Sequence, residues 1–264
     1  LMISAFARAA RVFGDSAFEK TAERAASFIF KNLKDESGRL LRRWCDGEAR
    51  YPAYLCDYVQ MAMACLDLYE TTYDPVWFRK GCELSNEIKR LFRNENGPFY
   101  DTGTDGEVLL TRNAEGYDGV EPSGNSSVAN AFLRLNSYGM GSEYFEDAQR
   151  IFRCFSPMIN QAGVSFCSML SGLHFSLSEP KEVVISGRRG DAETEALLAE
   201  VRREFHPNTV TAYLEDGHSK LSEEIIPLTS GRPMLNGSAT AYVCQNQTCQ
   251  LPVHTVEELR ELLD

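Results

Sequence analysis

The chain has no long uninterrupted apolar run. A membrane-crossing helix needs about 20 apolar residues in succession, and nothing of that kind occurs in the 264 residues. The sequence therefore predicts no membrane span. No basic leader followed by a short apolar block opens it, so no secretory signal is expected. Positive charge is in deficit: 27 Lys and Arg stand against 38 Asp and Glu, for a formal net charge of -11. That balance argues against nucleic acid or an anionic membrane surface as a partner. The eight cysteines form no tight framework. Cys65, Cys82, Cys154 and Cys167 fall in helical patterns, where cysteine behaves as a small buried hydrophobe, and a reducing, cytoplasmic setting is the expectation. The N-x-Ser/Thr sequons at Asn125, Asn236 and Asn246 would matter only in a secreted chain and read as chance. A start methionine is lacking too. Leu1–Ala7 reads as helix interior with nothing before it to cap, so a fragment of a longer protein is expected.

What the chain does have is a weak repeat. Gly14-Asp15-Ser16-Ala17-Phe18 returns as Asp74-Pro75-Val76-Trp77-Phe78 and as Gly141-Ser142-Glu143-Tyr144-Phe145. An apolar helix precedes each copy (Leu1–Phe13, Tyr54–Tyr73, Ser126–Tyr138) and an amphipathic one follows (Ser16–Leu33, Pro75–Arg93, Ser142–Ile159). Ser16 with Glu19 reads as a capping box. Asp74 before Pro75 reads as an N-cap with proline at the first helical position. The period of about sixty residues exceeds that of the common short solenoids. Turns within pairs are short, whereas the links Lys34–Ala53 and Asn94–Gly124 are long. The links hold strand-like pieces: Gly38–Trp44 in one, and in the other Pro98–Asp101 and Val108–Thr111 around the hairpin signal Thr104-Asp105-Gly106.

Such alternation predicts a mainly α fold: a partial α/α barrel of helical hairpins over residues 1–178. First helices line the inside in parallel, second helices cover the outside, and the long links gather at one rim. A further helix, Ser165–Leu177, starts another pair. Three and a half pairs leave the ring open, which again points to a missing N-terminal part. From 179 to 264 the pattern changes to a small α/β appendage, with strands Lys181–Ile185, Thr209–Leu214 and Ala239–Cys244, and helices Glu193–Glu204 and Thr255–Leu263. A Thr255/Glu258 capping box opens the last helix. Glu215–Arg232 reads as loop.

The segment Tyr117–Ser127 is the most informative. Gly119, Pro122 and Gly124 supply turns, but two carboxylates, hydroxyls and an amide crowd a helix entrance. One reading is an N-cap with an acidic first turn; the other is one wall of a polar pocket.

Leu1–Ala9, Asp57-Tyr58 with Leu66-Asp67-Leu68-Tyr69-Glu70, Asp118–Ser126, and Ala241-Tyr242-Val243-Cys244 followed by Cys249 occur in that order. Together they resemble the YyaL / spermatogenesis-associated protein 20 family over nearly the whole chain. The resemblance implies an N-terminal thioredoxin-like domain, absent here, followed by a six-hairpin α/α barrel similar to those of N-acylglucosamine 2-epimerases and six-hairpin glycosidases. This chain would supply the C-terminal half of the barrel and the tail. Its partners would be a sugar-like small molecule and the missing domain and half-barrel. One departure is Cys56-Asp57-Tyr58, where Asp-Asp-Tyr is expected.

Asp57, Asp118 and Glu121 sit at the entrances of inner helices. Two carboxylates facing across a bowl suit an acid and a base; capping and dipole pairing is the alternative. Trp44, Tyr54, Tyr58, Tyr100 and Tyr117 offer faces for stacking on sugar rings or simply pack the loops. Arg43 and Arg112 suit either an anionic group or ion pairing. Ser123 and Asn125 complete the proposed lining. His174 is placed as a proton carrier by likeness to epimerase barrels, or as a hydrogen-bonded core residue. Cys244 and Cys249, with His254 nearby, allow zinc ligation or a disulfide. The C-x4-C spacing with a single histidine favours a structural role, and neither a metal nor a cofactor is expected. Ser186–Gly190 mimics a phosphate loop, but Asp191, Glu193 and Glu195 oppose phosphate there.

Overall fold

The computed structural model describes residues 1–264 apart from Val108, His218, Asn246 and Gln247; for Ser219, Lys220 and Leu221 it describes the backbone alone. Within that range the chain is mainly helical with a small sheet. The helical part runs α1 (Met2–Phe13), α2 (Ser16–Asn32), α3 (Leu55–Thr72), α4 (Pro75–Phe92), α5 (Gly124–Ser137), α6 (Ser142–Ala162) and α7 (Cys167–Leu177), the last preceded by a 3-10 turn at Gly163–Phe166. Each boundary has a local cause. Gly14 in the left-handed region ends α1. The Asp74 carboxylate accepts from the Val76 amide with Pro75 at the first helical position of α4. At α2 the expected capping box is corrected: Asp15, not Ser16, is the N-cap and accepts from the Ala17 amide.

α1 packs on α2, α3 on α4 and α5 on α6, while α1, α3, α5 and α7 pack side by side in that order. The first three of that row run parallel. Arg8 bonds Asp67 and Arg11 bonds Glu70 with the same sequence offset, as do Gln60 with Ser127 and Arg134 with Asp67. Tyr58, Leu66, Leu68, Phe78, Phe92, Phe132 and Leu135 are sealed between the helices, and burial of such side chains drives their packing.

The first long link forms an antiparallel hairpin, β1 (Leu41–Cys45) with β2 (Glu48–Pro52). Its turn is Asp46-Gly47, both with positive φ, the backbone that a two-residue hairpin turn demands. The hairpin expected in the second link is corrected. Val108 lies outside the described residues, and Pro98–Asp101 and Leu109–Thr111 form no ladder. Their polar groups are met elsewhere: Tyr100 N–H donates to the Phe92 carbonyl, Asp101 N–H donates to the Asn113 carbonyl, and the Asp101 carbonyl accepts from Leu55 N–H.

In the tail, β3 (Lys181–Gly187), α8 (Ala192–Arg203) and β4 (Thr209–Glu215) form a parallel crossover unit. β5 (Thr240–Gln245) joins β3 antiparallel, with β6 (Thr248–Cys249) at the edge, giving the order β4-β3-β5-β6. The segment expected as loop, Glu215–Arg232, contains α9 (Ser219–Ile225) and a 3-10 turn at Pro227–Thr229. Buried Ile226 and Leu228 tie it down, and Leu228 N–H donates to the Tyr138 carbonyl. α10 (Val256–Leu263) opens with the Thr255/Glu258 capping box as expected. Cys244 and Cys249 are disulfide-bonded, and the other six cysteines are free. Cys65 and Cys82 are buried as expected, whereas Cys167 is exposed and Cys154 half-buried.

The sheet lies under the C-terminal ends of α3 and α5. Arg202 donates to the carbonyls of Glu70 and Thr71, and Arg189 to that of Thr72. These are the carbonyls a helix end leaves unpaired. Tyr138 Oη lies 3.1 Å from the Thr211 carbonyl oxygen. The long links and the helix entrances lie at the opposite end. Among the described residues, no helix is long and apolar enough to cross a membrane.

Candidate functional site

The entrances of α3 and α5 approach closely because Gly124 opens α5. A Cβ there would stand 2.9 Å from Leu55 Cδ2 and 3.5 Å from the Cys56 amide nitrogen. Around this contact lie Arg42, Tyr54, Cys56 and Asp57, with Glu121 in the loop before α5. Asp57 Oδ2 accepts from the Tyr54 amide at 2.8 Å and lies 3.9 Å from Arg42 Nε. The Arg42 guanidinium stands over the Tyr54 ring, 4.5 Å from its centre. Burial pushes the Cys56 thiol pKa up, Asp57 and Glu121 raise it further, and Arg42 opposes them. Asp57 and Glu121 thus act on one spot, and Glu121 is exposed while Asp57 is partly so.

The other expected site residues are placed otherwise. Asp118 is a fastener: Oδ2 accepts from the Ser168 and Met169 amides, Oδ1 from the Ser123 amide. Its carboxylate joins the entrances of α5 and α7. Asn125 is fully buried. It accepts from Phe99 N–H and donates to the carbonyls of Phe99 and Glu115, so its amide clamps the second long link. Ser123 is the N-cap of α5, with its Oγ accepting from the Ser126 amide at 3.1 Å and donating to Ser126 Oγ. Tyr58, expected to face a ligand, is only 1% exposed; its hydroxyl accepts from Leu40 N–H and its ring packs under Arg39 and against Phe92. Its neighbours leave it no face for a solute.

Trp44 is on β1, edge-on to Phe28 of α2 at 5.7 Å, and part of it remains exposed. Arg112 donates to the carbonyls of Leu91 and Thr102 and stacks on Tyr100 at 4.1 Å, holding the link together. His174 is exposed on the last turn of α7, beside Ser178. Six residues beyond Ser168, it lies about 9 Å along the helix from the entrance, apart from the carboxylates. Asn246 lies outside the described residues. Among those described, no cluster of three or more His, Cys, Asp or Glu has the arrangement of a metal site.

Sequence reasoning missed a second polar cluster, deeper in the row of parallel helices. Asp67, 1% exposed, and the buried Glu70 lie on α3. Arg8 and Arg134 reach Asp67 at 3.2 and 2.9 Å; Arg11 and Arg134 reach Glu70 at 2.7 and 3.0 Å. Tyr138 donates its hydroxyl to Glu70 at 2.7 Å. Burial raises both carboxyl pKa values, but attraction to the guanidinium groups, Arg134 foremost, outweighs it, and both end below the usual carboxylate range. The available signal was Asp67 inside the otherwise apolar run Met61–Tyr69, with Glu70 three residues after it at the end of that run.

No family model matches the chain. Spermatogenesis-associated protein 20 of Homo sapiens is 30% identical over 274 residues, covering all of this chain and 35% of the relative. The Rattus norvegicus protein of the same name is 29% identical, again over the whole chain. An uncharacterized protein of Caenorhabditis elegans is 30% identical over 280 residues, 37% of its length. The chain thus spans about a third of the curated relatives it matches. The full-length match runs through the segments from Leu1–Ala9 to Cys249 that carry the likeness: over its whole length the chain is similar to about a third of spermatogenesis-associated protein 20.

Proposed function

We propose that the rim at the entrances of α3 and α5 binds a polyhydroxylated, sugar-like ligand, and that the chain belongs to a carbohydrate-related protein of the six-hairpin barrel type. One observation carries the reading: the charges of Asp57, at the entrance of α3, and Glu121, in the loop before α5, both reach the Cys56 thiol. Carboxylates so placed accept hydrogen bonds from neighbouring hydroxyls, and in an epimerase or hydrolase scheme serve as acid and base. Exposed Tyr54, Tyr117 and Trp44 supply stacking faces. The row α1, α3, α5 and α7 covered by α2, α4 and α6 supports half of an α/α barrel over residues 1–178, with 179–264 as its appendage. The six free thiols suit a cytoplasmic setting, against which the Cys244–Cys249 disulfide weighs.

The test is saturation-transfer NMR with monosaccharides and N-acyl amino sugars on the intact protein. Saturable binding is expected, weakened at least about tenfold by Glu121→Gln or Asp57→Asn, the loss of one charge-assisted hydrogen bond. Binding unchanged in both variants, or none in the wild type, defeats the reading.

A second reading is favoured by the full commitment of Tyr58, Asp118 and Asn125 to backbone groups: a non-catalytic scaffold partnering a thioredoxin-like domain. Client trapping through that domain in the longer protein, without sugar binding, supports it instead.

A further inference from the structure

The Cys244–Cys249 pair has features that a mere staple does not need. The two residues are direct cross-strand partners of β5 and β6. They close a loop with a sequence separation of only 5, where a disulfide gains least from restricting the unfolded chain. β5 is already held along its length by β3. The two ends are unequal: Cys244 is 1% exposed, whereas Cys249 lies on the exposed edge strand. A cation attends both sulfurs, with Arg232 Nη2 3.4 Å from Cys244 Sγ and 3.4 Å from Cys249 Sγ. Its other nitrogen, Nη1, is anchored on the carbonyls of Leu228 and Ser230 at the 3-10 turn. Among the described residues no carboxylate comes within ion-pair distance of Arg232, although seventeen such contacts involve other residues. The charge is therefore not spent in an ion pair; besides the two sulfurs it acts on Glu182, the cross-strand neighbour of Cys244 on β3.

We propose that Cys244 and Cys249 form a thiol–disulfide exchange site that accepts electrons from a dithiol, with Cys249 as the sulfur attacked and Arg232 as the group that stabilises the departing Cys244 thiolate. One thiol of the donor loses its proton to water and its thiolate attacks Cys249 Sγ. The S–S bond breaks, its electron pair leaves on Cys244 Sγ, and a mixed disulfide joins the donor to Cys249. The donor's second thiolate attacks the donor sulfur of that mixed disulfide and releases the Cys249 thiolate. The donor departs as a disulfide, oxidised by two electrons, and the protein pair is reduced by two. Leaving-group stabilisation sets the rate of such exchange, which is the function the guanidinium position fits.

The test uses the oxidised intact protein with dithiothreitol, quenched by alkylation and read by mass spectrometry of the peptide holding both cysteines. Both are expected to become alkylated while the circular dichroism spectrum stays native, and Arg232→Gln is expected to slow the reaction about tenfold through the poorer leaving group. A second readout needs no variant: the reduced wild type treated with glutathione disulfide is expected to carry the first adduct on Cys249. Reduction only after unfolding, an adduct mainly on Cys244, or a folded Arg232→Gln protein reduced within about twofold of the wild-type rate overturns the proposal. None of these readouts involves Asp57 or Glu121, so the outcome is independent of sugar binding.

Discussion

Arg134 of α5 meets Asp67 of α3 at 2.9 Å, and the same guanidinium lies 3.0 Å from Glu70. One cation thus serves two buried anions at the seam between α3 and α5. Removing it strands both. Arg134→Met is expected to lower stability by about 3–5 kcal/mol, the cost of breaking a buried pair from one side. Urea unfolding followed by circular dichroism measures it, and a loss within about 1 kcal/mol, the value of a surface pair, would show the cluster to be solvated.

The same cluster fixes a pH dependence. Asp67 and Glu70 have pKa values lowered by folding, so the unfolded chain binds protons first as pH falls. Their contribution is fully present above the unfolded carboxylate range, about pH 4, and is lost progressively below it. The urea midpoint is expected to fall below about pH 4, and in Asp67→Asn that fall is expected to be shallower. Equal slopes would assign the acid sensitivity elsewhere.

Glu200 offers a local version. Hydrogen bonds from Arg260 and Arg203, with their charges, outweigh burial and hold its carboxyl pKa at about 2. Since Arg260 is on α10, protonation unties that helix from α8. Amide exchange in Val256–Leu263, taken relative to its intrinsic rate at each pH, is expected to rise as pH drops from the ordinary glutamate value, about 4, towards about 2. Arg260→Met is expected to raise it already at neutral pH; unchanged protection in that variant would refute the tie.

Asn125→Ala removes all three bonds that clamp the second long link. A cost of about 2–3 kcal/mol is expected, since buried backbone groups of Phe99 lose their partner. Limited proteolysis is expected to cut between residues 94 and 123 in the variant only. A variant as resistant as the wild type would return Asn125 to the list of ligand-facing residues.

Gly124→Val tests why the two entrances are neighbours. Its added Cβ meets Leu55 at 2.9 Å, so α5 must shift from α3. If the rim binds a ligand, affinity is expected to drop by about tenfold with a stability loss of only about 1–3 kcal/mol, as for overpacking. Unaltered affinity in a folded variant would detach the site from this contact.

Much of this was legible because it is local. The Asp74-Pro75 start of α4, the Thr255/Glu258 cap of α10 and the crossover β3–α8–β4 each depend on residues adjacent in sequence. The β2 strand was legible too, through Asp46-Gly47, but went unread. What failed was non-local. Nothing near Asn125 shows that its amide will bind Phe99, and nothing near Asp67 shows that Arg8 and Arg134 will converge on it from 59 and 67 residues away. Asp118 was rightly seen at a helix entrance, but the amides it caps belong chiefly to α7, not α5. A carboxylate's role as cap or catalyst depends on which donors reach it, and those are set by packing.

Arg202 and Arg189 plug the end of α3 from the far side of a sequence boundary. Trimming the protein at residue 178 would therefore do more than delete a small sheet. It would bare the carbonyls of Glu70 and Thr71 and remove the Thr211 carbonyl that lies beside Tyr138 Oη. Those losses fall at the end of α3 opposite Asp57, so a chain cut at 178 would lack the groups that close that helix.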